Sequence, residues 1–254
     1  GIMINFVGAG PGAPDLITVR GMNLIKEADV IIYAGSLVNK EILNWAKKEC
    51  KIYDSSKMTL EETVTIMKTA EKECLKTVRL HTGDPSLYGA ILEQMNALDE
   101  LEIKYDYCPG VSSMFGAASA LKTEFTPAEV SQSVIITRAE GRTPVPEKES
   151  IKSFAEHNAT MVIFLSAGLT EKVSRELIDG GYDKNTPAAI IYKATWPDEK
   201  VVYTTVEKLA ESAKENGINK TALIVVGDFL KRKAARSKLY DPSFTHEFRK
   251  GVGK

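Results

Sequence analysis

Short β-branched runs alternate along this chain with longer polar stretches whose apolar residues recur at helical spacing. That alternation allows little besides an α/β architecture on a largely parallel sheet. The runs at residues 4–7, 30–33, 51–53, 78–81 and 103–107 read as strands, and the stretches at 18–28, 39–49, 60–74 and 86–101 as helices between them. Glu61 and Glu62 fall in a first helical turn, where the helix dipole favours acids. Residues 112–121 are small and apolar and are expected to form a buried helix linking two halves. A boundary just after it gives an N-terminal α/β domain over 1–121, a C-terminal α/β domain over 122–232 and a basic tail over 233–254. In the second domain strands are expected at 133–137, 161–166, 188–192, 201–205 and 222–226, and helices at 151–157, 172–180 and 206–216. The connection through Trp196, Pro197, Asp198 and Glu199 is short enough for a hairpin, so the second sheet is expected to be mixed.

Composition narrows the function. With 43% hydrophobic and 26% charged residues, the 254-residue chain can bury real cores. Its formal charge of -1 supplies no basic field, so nucleic acid and acidic membrane surfaces are not expected partners. No apolar run approaches the length of a membrane span and no signal-peptide pattern opens the sequence, so a cytoplasmic location is expected. Cys50, Cys74 and Cys108 lack CxxC spacing and read as buried small hydrophobes in a reducing compartment. His81, His157 and His246 are equally dispersed, and no protein-bound metal is expected.

Four loops carry residues suited to chemistry. Gly8-Ala9-Gly10-Pro11-Gly12-Ala13 follows the first strand and formally satisfies the dinucleotide pattern G-x-G-x-x-G/A. Pro11 and Pro14, however, remove two N–H donors, and the second strand ends Ile31-Ile32-Tyr33-Ala34 with no acid for a ribose hydroxyl. The turn suits close approach of another ligand, or none. Thr82-Gly83-Asp84-Pro85-Ser86-Leu87-Tyr88-Gly89 places Asp84 as a helix N-cap and Pro85 at the first helical position. The same loop lies at the carboxyl end of a strand, where open α/β sheets bind ligands, and spacing leaves both readings open. Pro109-Gly110-Val111-Ser112-Ser113 repeats that context with two hydroxyls. Together these two loops suggest a pocket for a polar small molecule. In the fourth, Thr137, Arg138, Glu140 and Arg142 enter a loop pinned by Pro144 and Pro146, fit either to hold carboxylates through guanidinium contacts or to form a plain surface Arg–Glu pair. The sequence has no G-x-S-x-G elbow, Walker loop or H-E-x-x-H.

At these residues the chain resembles the tetrapyrrole methylases, the S-adenosylmethionine-dependent enzymes of corrin and porphyrin rings. The resemblance runs from about Met3 to Leu230 and rests on an ordered series: residues 7–12 with Asp15-Leu16-Ile17-Thr18, Ala28-Asp29-Val30, Gly83-Asp84-Pro85, residues 109–113, and Val162-Ile163-Phe164-Leu165-Ser166. Residues 33–38, 130–147 and 194–199 are most similar to members that methylate ring carbon 11 of a cobalamin precursor. Thr82, where a glycine is frequent in the family, is one small departure.

The resemblance implies two α/β domains with S-adenosylmethionine in the cleft between them, S-adenosylhomocysteine as product, and a homodimer. It implies cofactor contacts at Pro11, Thr82, Gly83, Asp84, Leu87, Ser112, Ser113, Phe164, Leu165, Ala194, Thr221 and Ala222. Gly10 and Tyr88 are expected toward the tetrapyrrole, with Arg138 and Arg142 as clamps on its acidic side chains, and no general base can be named. Competing readings are a methylase of another ring position, a non-catalytic tetrapyrrole carrier and a dehydrogenase.

Overall fold

The computed structural model describes residues 1–165 and 168–240. They form two compact units, one of Gly1–Gly116 with Ala194–Pro197, the other of Ala117–Lys193 with the described residues from Asp198 onward. The division falls after Gly116, inside the small-residue helix, rather than after Leu121.

The first unit contains β1 (Ile4–Gly8), α1 (Val19–Glu27), β2 (Val30–Tyr33), β3 (Lys51–Asp54), α2 (Leu60–Lys72), β4 (Thr77–His81), α3 (Leu92–Glu100), β5 (Tyr105–Cys108) and the start of α4 (Ser113–Leu121). Its sheet has the order β3-β2-β4-β1-β5 with every pair parallel. A parallel sheet is covered on both faces, which is why β2 reads Val-Ile-Ile-Tyr and is buried throughout. Alternate residues feed opposite cores: Val7, Ile31 and Leu80 pack with Ile25 of α1 and Ile42, whereas Ile4, Phe6 and Ile32 pack with Met67 of α2 and Leu98 of α3. Side-chain caps fix where the helices begin. Thr18 Oγ1 accepts from Gly21 N, and Thr59 Oγ1 accepts from Glu62 N while its hydroxyl donates to Glu62 Oε1.

The second unit holds β6 (Val134–Arg138), α5 (Ile151–Ala155), β7 (Thr160–Leu165), α6 (Thr170–Gly180), β8 (Pro187–Tyr192), β9 (Lys200–Thr205), α7 (Leu209–Glu215), β10 (Ala222–Val226) and α8 (Lys231–Tyr240). The order is β6-β7-β10-β8-β9; only β6 and β7 run parallel, so this sheet is mixed. Met161, Ile163, Ile190 and Ile224 pack with Val173 and Leu177 of α6 and Leu209 of α7.

Several expectations need correction. Residues 39–49 form no α-helix; Lys40–Trp45 is a 3₁₀ segment, capped by Asn39 Oδ1 accepting from Glu41 N. The helix expected over 86–101 begins only at Leu92, because Tyr88 and Ala90 have φ of 62° and 51°, outside the right-handed helical region. In α4 Ala117 and Leu121 are buried but Phe115 is 57% exposed. Of the cysteines only Cys108 is buried; Cys50 is intermediate and Cys74 exposed. The expected basic tail contributes α8, and residues 241–254 lie outside the described ones, as do His246 and Ser166. Among the described residues no helix is long and apolar enough to cross a membrane.

Candidate functional site

In the first sheet β1 and β4 lie side by side, yet the chain leaves them toward opposite edges, β1 for β2 and β4 for β5. Such a switch point is where open α/β sheets bind ligands beyond the strand ends. The loops after these strands are bonded together. Ala9 N donates to His81 O at 2.6 Å, Gly10 N to Gly83 O at 3.2 Å and Gly83 N to Gly10 O at 2.7 Å. The loop after β5 joins them at backbone contact, since a Cβ on Gly110 would lie 2.4 Å from Gly83 O. The glycines at 83 and 110 thus serve first to let three loops close on each other.

Asp84 locks this cluster. It is not an N-cap as its spacing allowed; Oδ1 accepts from Ser86 N at 2.9 Å in a local turn and from the Tyr107 hydroxyl, while Oδ2 accepts from Gly110 N at 2.9 Å. Burial pushes its carboxyl pKa up, but the bonds from Ser86, Tyr107 and Gly110 outweigh that and hold it below the ordinary aspartate value. All these donors belong to the fold, which makes Asp84 a positioning residue for the loops. Beside it Ser112 is buried and Thr82, Leu87 and Ser113 are half-buried.

The glycine-rich turn is held from the other side. Asn39 Nδ2 donates to Gly12 O at 3.0 Å, Trp196 Nε1 donates to Pro11 O at 3.1 Å, and Ala13 N donates to Thr195 Oγ1 at 3.0 Å. A Cβ on Gly116 would meet Pro11 Cβ at 2.9 Å and Ala194 Cβ at 3.4 Å. Gly10, Pro11, Thr82, Gly83, Asp84, Leu87, Tyr88, Ser112, Ser113 and Ala194 therefore all belong to one unit.

A cavity of about 380 Å³ opens in this unit, lined by Thr82, Leu87 and Tyr88 together with Arg79 and His81 of β4. Sequence reasoning passed over these last two. Arg79 and His81 alternate with Val78 and Leu80, a pattern that by itself reads as a half-exposed strand, yet each is 6% exposed because the parallel sheet is covered on both faces. Arg79 Nε donates to Gln94 Oε1 at 2.9 Å and Nη1 to Ile32 O at 3.2 Å. Burial lowers its pKa to about 10. Burial, helped by the Arg79 charge, lowers His81 to about 3, so its imidazole is neutral at ordinary pH.

In the second unit five of the expected residues fall at one end of the sheet. Arg138 pairs in register with Phe164, Leu223 with Phe164 and Ala222 with Leu165, and Thr221, with φ of 59°, precedes β10. The Arg138 guanidinium donates to the carbonyls of Thr143 and Pro144, both at 3.2 Å, and so folds the loop that carries Arg142. Glu140 makes no Arg–Glu pair; it accepts from Val145 N at 3.1 Å and faces Lys172 at 3.7 Å. Among the described residues no three His, Cys, Asp or Glu side chains group as metal ligands.

The three loops of the first unit contain no Lys or Arg, and Pro11 and Pro14 remove main-chain N–H donors from the turn that would cradle a pyrophosphate. What the loops offer a ligand is hydroxyls and main chain on a close-packed backbone floor, a poor cradle for a dinucleotide pyrophosphate. The fold is that of an α/β protein whose loops beyond the carboxyl ends of a parallel sheet are placed to receive a small molecule. Comparison with known proteins narrows that class. Residues 3–210 match the family model of the tetrapyrrole (corrin/porphyrin) methylases. The cobalt-precorrin-4 C(11)-methyltransferase of Methanocaldococcus jannaschii is 55% identical, over 98% of this chain and 96% of that one. The solved structure of a cobalamin biosynthetic enzyme, cobalt precorrin-4 methyltransferase, superposes with a TM-score of 0.87 at 47% identity, covering 89% of this chain and 95% of the other. Uroporphyrin-III C-methyltransferase from Thermus thermophilus, solved with S-adenosyl homocysteine, gives a TM-score of 0.76 at 26% identity over 91% and 99% of the two chains. The chain belongs to the tetrapyrrole methylase family, S-adenosylmethionine-dependent methyltransferases of tetrapyrrole biosynthesis.

Proposed function

We propose that this chain methylates ring carbon 11 of precorrin-4, or of its cobalt complex, in cobalamin biosynthesis. The observation that carries the reading is the match over nearly the whole of both chains to a relative of that activity. Any cobalt belongs to the substrate and arrives with the macrocycle.

S-adenosylmethionine supplies an electrophilic methyl group, so the protein's share of the work is orientation for in-line attack. Pro11, Thr82, Gly83, Leu87, Ser112, Ser113 and Ala194 are the first unit's contribution to cofactor binding, with Asp84 holding their loops in place. Phe164, Leu165, Thr221 and Ala222 are the second unit's positions in the same assignment. Gly10 and Tyr88 face the tetrapyrrole, and Arg138 and Arg142 bind its carboxylates. An electron-rich ring carbon needs no protein nucleophile, and none is assigned. The working protein is a cytoplasmic homodimer.

Titration calorimetry of S-adenosylhomocysteine into the purified protein, with NADH as control, tests the reading. Micromolar binding of the first alone is expected, followed by methyl transfer to the tetrapyrrole. Absence of both binding and transfer would favour a carrier, and NADH binding a dehydrogenase.

A further inference from the structure

The cavity beside Tyr88 contains a buried cation without a counter-ion. Among the described residues no carboxylate lies within ion-pair distance of Arg79, whose hydrogen bonds there are those from Nε and Nη1; a guanidinium carries five N–H donors. His81 Nε2 is likewise buried without a hydrogen-bond partner, and both residues line the same cavity. An uncompensated buried charge and an unmet imidazole are costly in a folded protein, and one anion entering the cavity would relieve both. The rim toward α2 is formed by Ser55, Ser56 and Thr59, uncharged residues of which Ser55 donates to Tyr33 O and Thr59 to Glu62 Oε1. That leaves Arg79 and His81 as the groups that would receive the anion. Glu93, the acid at the mouth, is exposed on the first turn of α3, where water screens it.

We propose that this cavity is a seat for one carboxylate side chain of the tetrapyrrole, received by the free face of the Arg79 guanidinium and the His81 imidazole. This rests on the function proposed above and deepens it. Because Thr82, Leu87 and Tyr88 form one wall, a carboxylate held there fixes the macrocycle's rotation against the cofactor loop. A ring edged with several acidic groups could otherwise dock in more than one register, so the seat contributes to the choice of ring carbon. The imidazole, neutral before binding, donates through Nε2 and gains basicity when the anion arrives.

The test compares wild-type protein with Arg79→Gln, Arg79→Lys and Leu37→Glu. Leu37 is 45% exposed and lines the same cavity, so its glutamate places a tethered rival carboxylate at the mouth while leaving the core alone. Expected are a rise of about tenfold or more in KM for the tetrapyrrole with both Arg79→Gln and Leu37→Glu, partial recovery with Arg79→Lys, and a Kd for S-adenosylhomocysteine unchanged within about twofold. The His81 imidazole nitrogen resonances should move when the tetrapyrrole is added without methyl donor. If Arg79→Gln does not fold, Leu37→Glu and the resonances decide. An unchanged KM in Leu37→Glu together with unmoved His81 resonances overturns the seat while wild-type turnover leaves the methyltransferase reading standing. Wild-type protein that binds neither cofactor product nor tetrapyrrole overturns both.

Discussion

Trp196 packs against Gly12: a Cβ at Gly12 would stand 2.2 Å from the indole Cδ1 and Nε1, and Nε1 donates to the carbonyl of the preceding Pro11. Residues 194–197 are thereby built into the first unit although 77 residues of the second precede them, Ala117–Lys193. Gly12→Ala should therefore unseat the indole. We expect a loss of about 1–3 kcal/mol in stability and a red shift of Trp196 fluorescence, read by denaturant titration in a Trp45→Phe background. An unchanged midpoint would mean that the turn yields at little cost.

Gly110→Ala tests the loop floor. The added methyl would meet Gly83 O at 2.4 Å and Gly8 Cα at 2.8 Å, main-chain atoms with no rotamer to give way. Affinity for S-adenosylhomocysteine should fall by about tenfold or more, measured by calorimetry on protein shown to be folded by circular dichroism; native affinity would show that the cofactor does not depend on this packing.

Asp84→Asn keeps the shape but replaces one acceptor oxygen with a donor. Facing the N–H groups of Ser86 and Gly110 and the Tyr107 hydroxyl, the amide cannot accept from all three, and a loss of about 1–3 kcal/mol is expected in thermal unfolding. The stabilisation from the carboxylate is present above the unfolded aspartate pKa and disappears as pH falls through the lower folded value.

His81 sets a separate acid limit. Its pKa is about 3 in the fold against 6.5 when unfolded, so between those values the unfolded chain binds the extra proton. Stability is full above pH 6.5 and declines as pH falls toward 3, by about 1.4 kcal/mol for each pH unit inside the window. His81→Asn should flatten that part of the curve, and an unaltered slope would remove His81 as its source.

Arg138→Ala removes the two bonds that fold residues 143–144 back on β6. KM for the tetrapyrrole should rise by about tenfold with Kd for S-adenosylhomocysteine held; an unchanged KM would take Arg138 and the loop it shapes out of substrate binding.

The alternation of strands and helices was legible because period and β-branching survive any tertiary context. So was the mixed second sheet, from the shortness of residues 193–199. Residues 86–91 were misread because Asp84-Pro85 carries a genuine helix-start signature, and what overrides it is a pair of left-handed residues, Tyr88 and Ala90, that no local propensity announces. Asp84 itself was picked out for the wrong bond, since its partners Tyr107 and Gly110 lie a strand away. Arg79 and His81 were missed because their alternation with Val78 and Leu80 puts them on the face that strand periodicity assigns to solvent, whereas a parallel sheet is covered on both faces.

β1 pairs with β4 and β5 but with no nearer strand: Ile4 stands opposite Thr77 on one side and Tyr105 on the other. During synthesis at about 5–20 residues per second, this strand must wait roughly 4–15 s before its first partner exists. Such non-local pairing slows closure, so for that interval Ile4, Phe6 and Val7, all fully buried at the end, have no sheet to enter. Ala194–Pro197 arrives later still, which makes completion of the first unit one of the last events of folding rather than the first. A nascent chain halted near residue 190 should accordingly hold a formed sheet but an unlatched glycine turn.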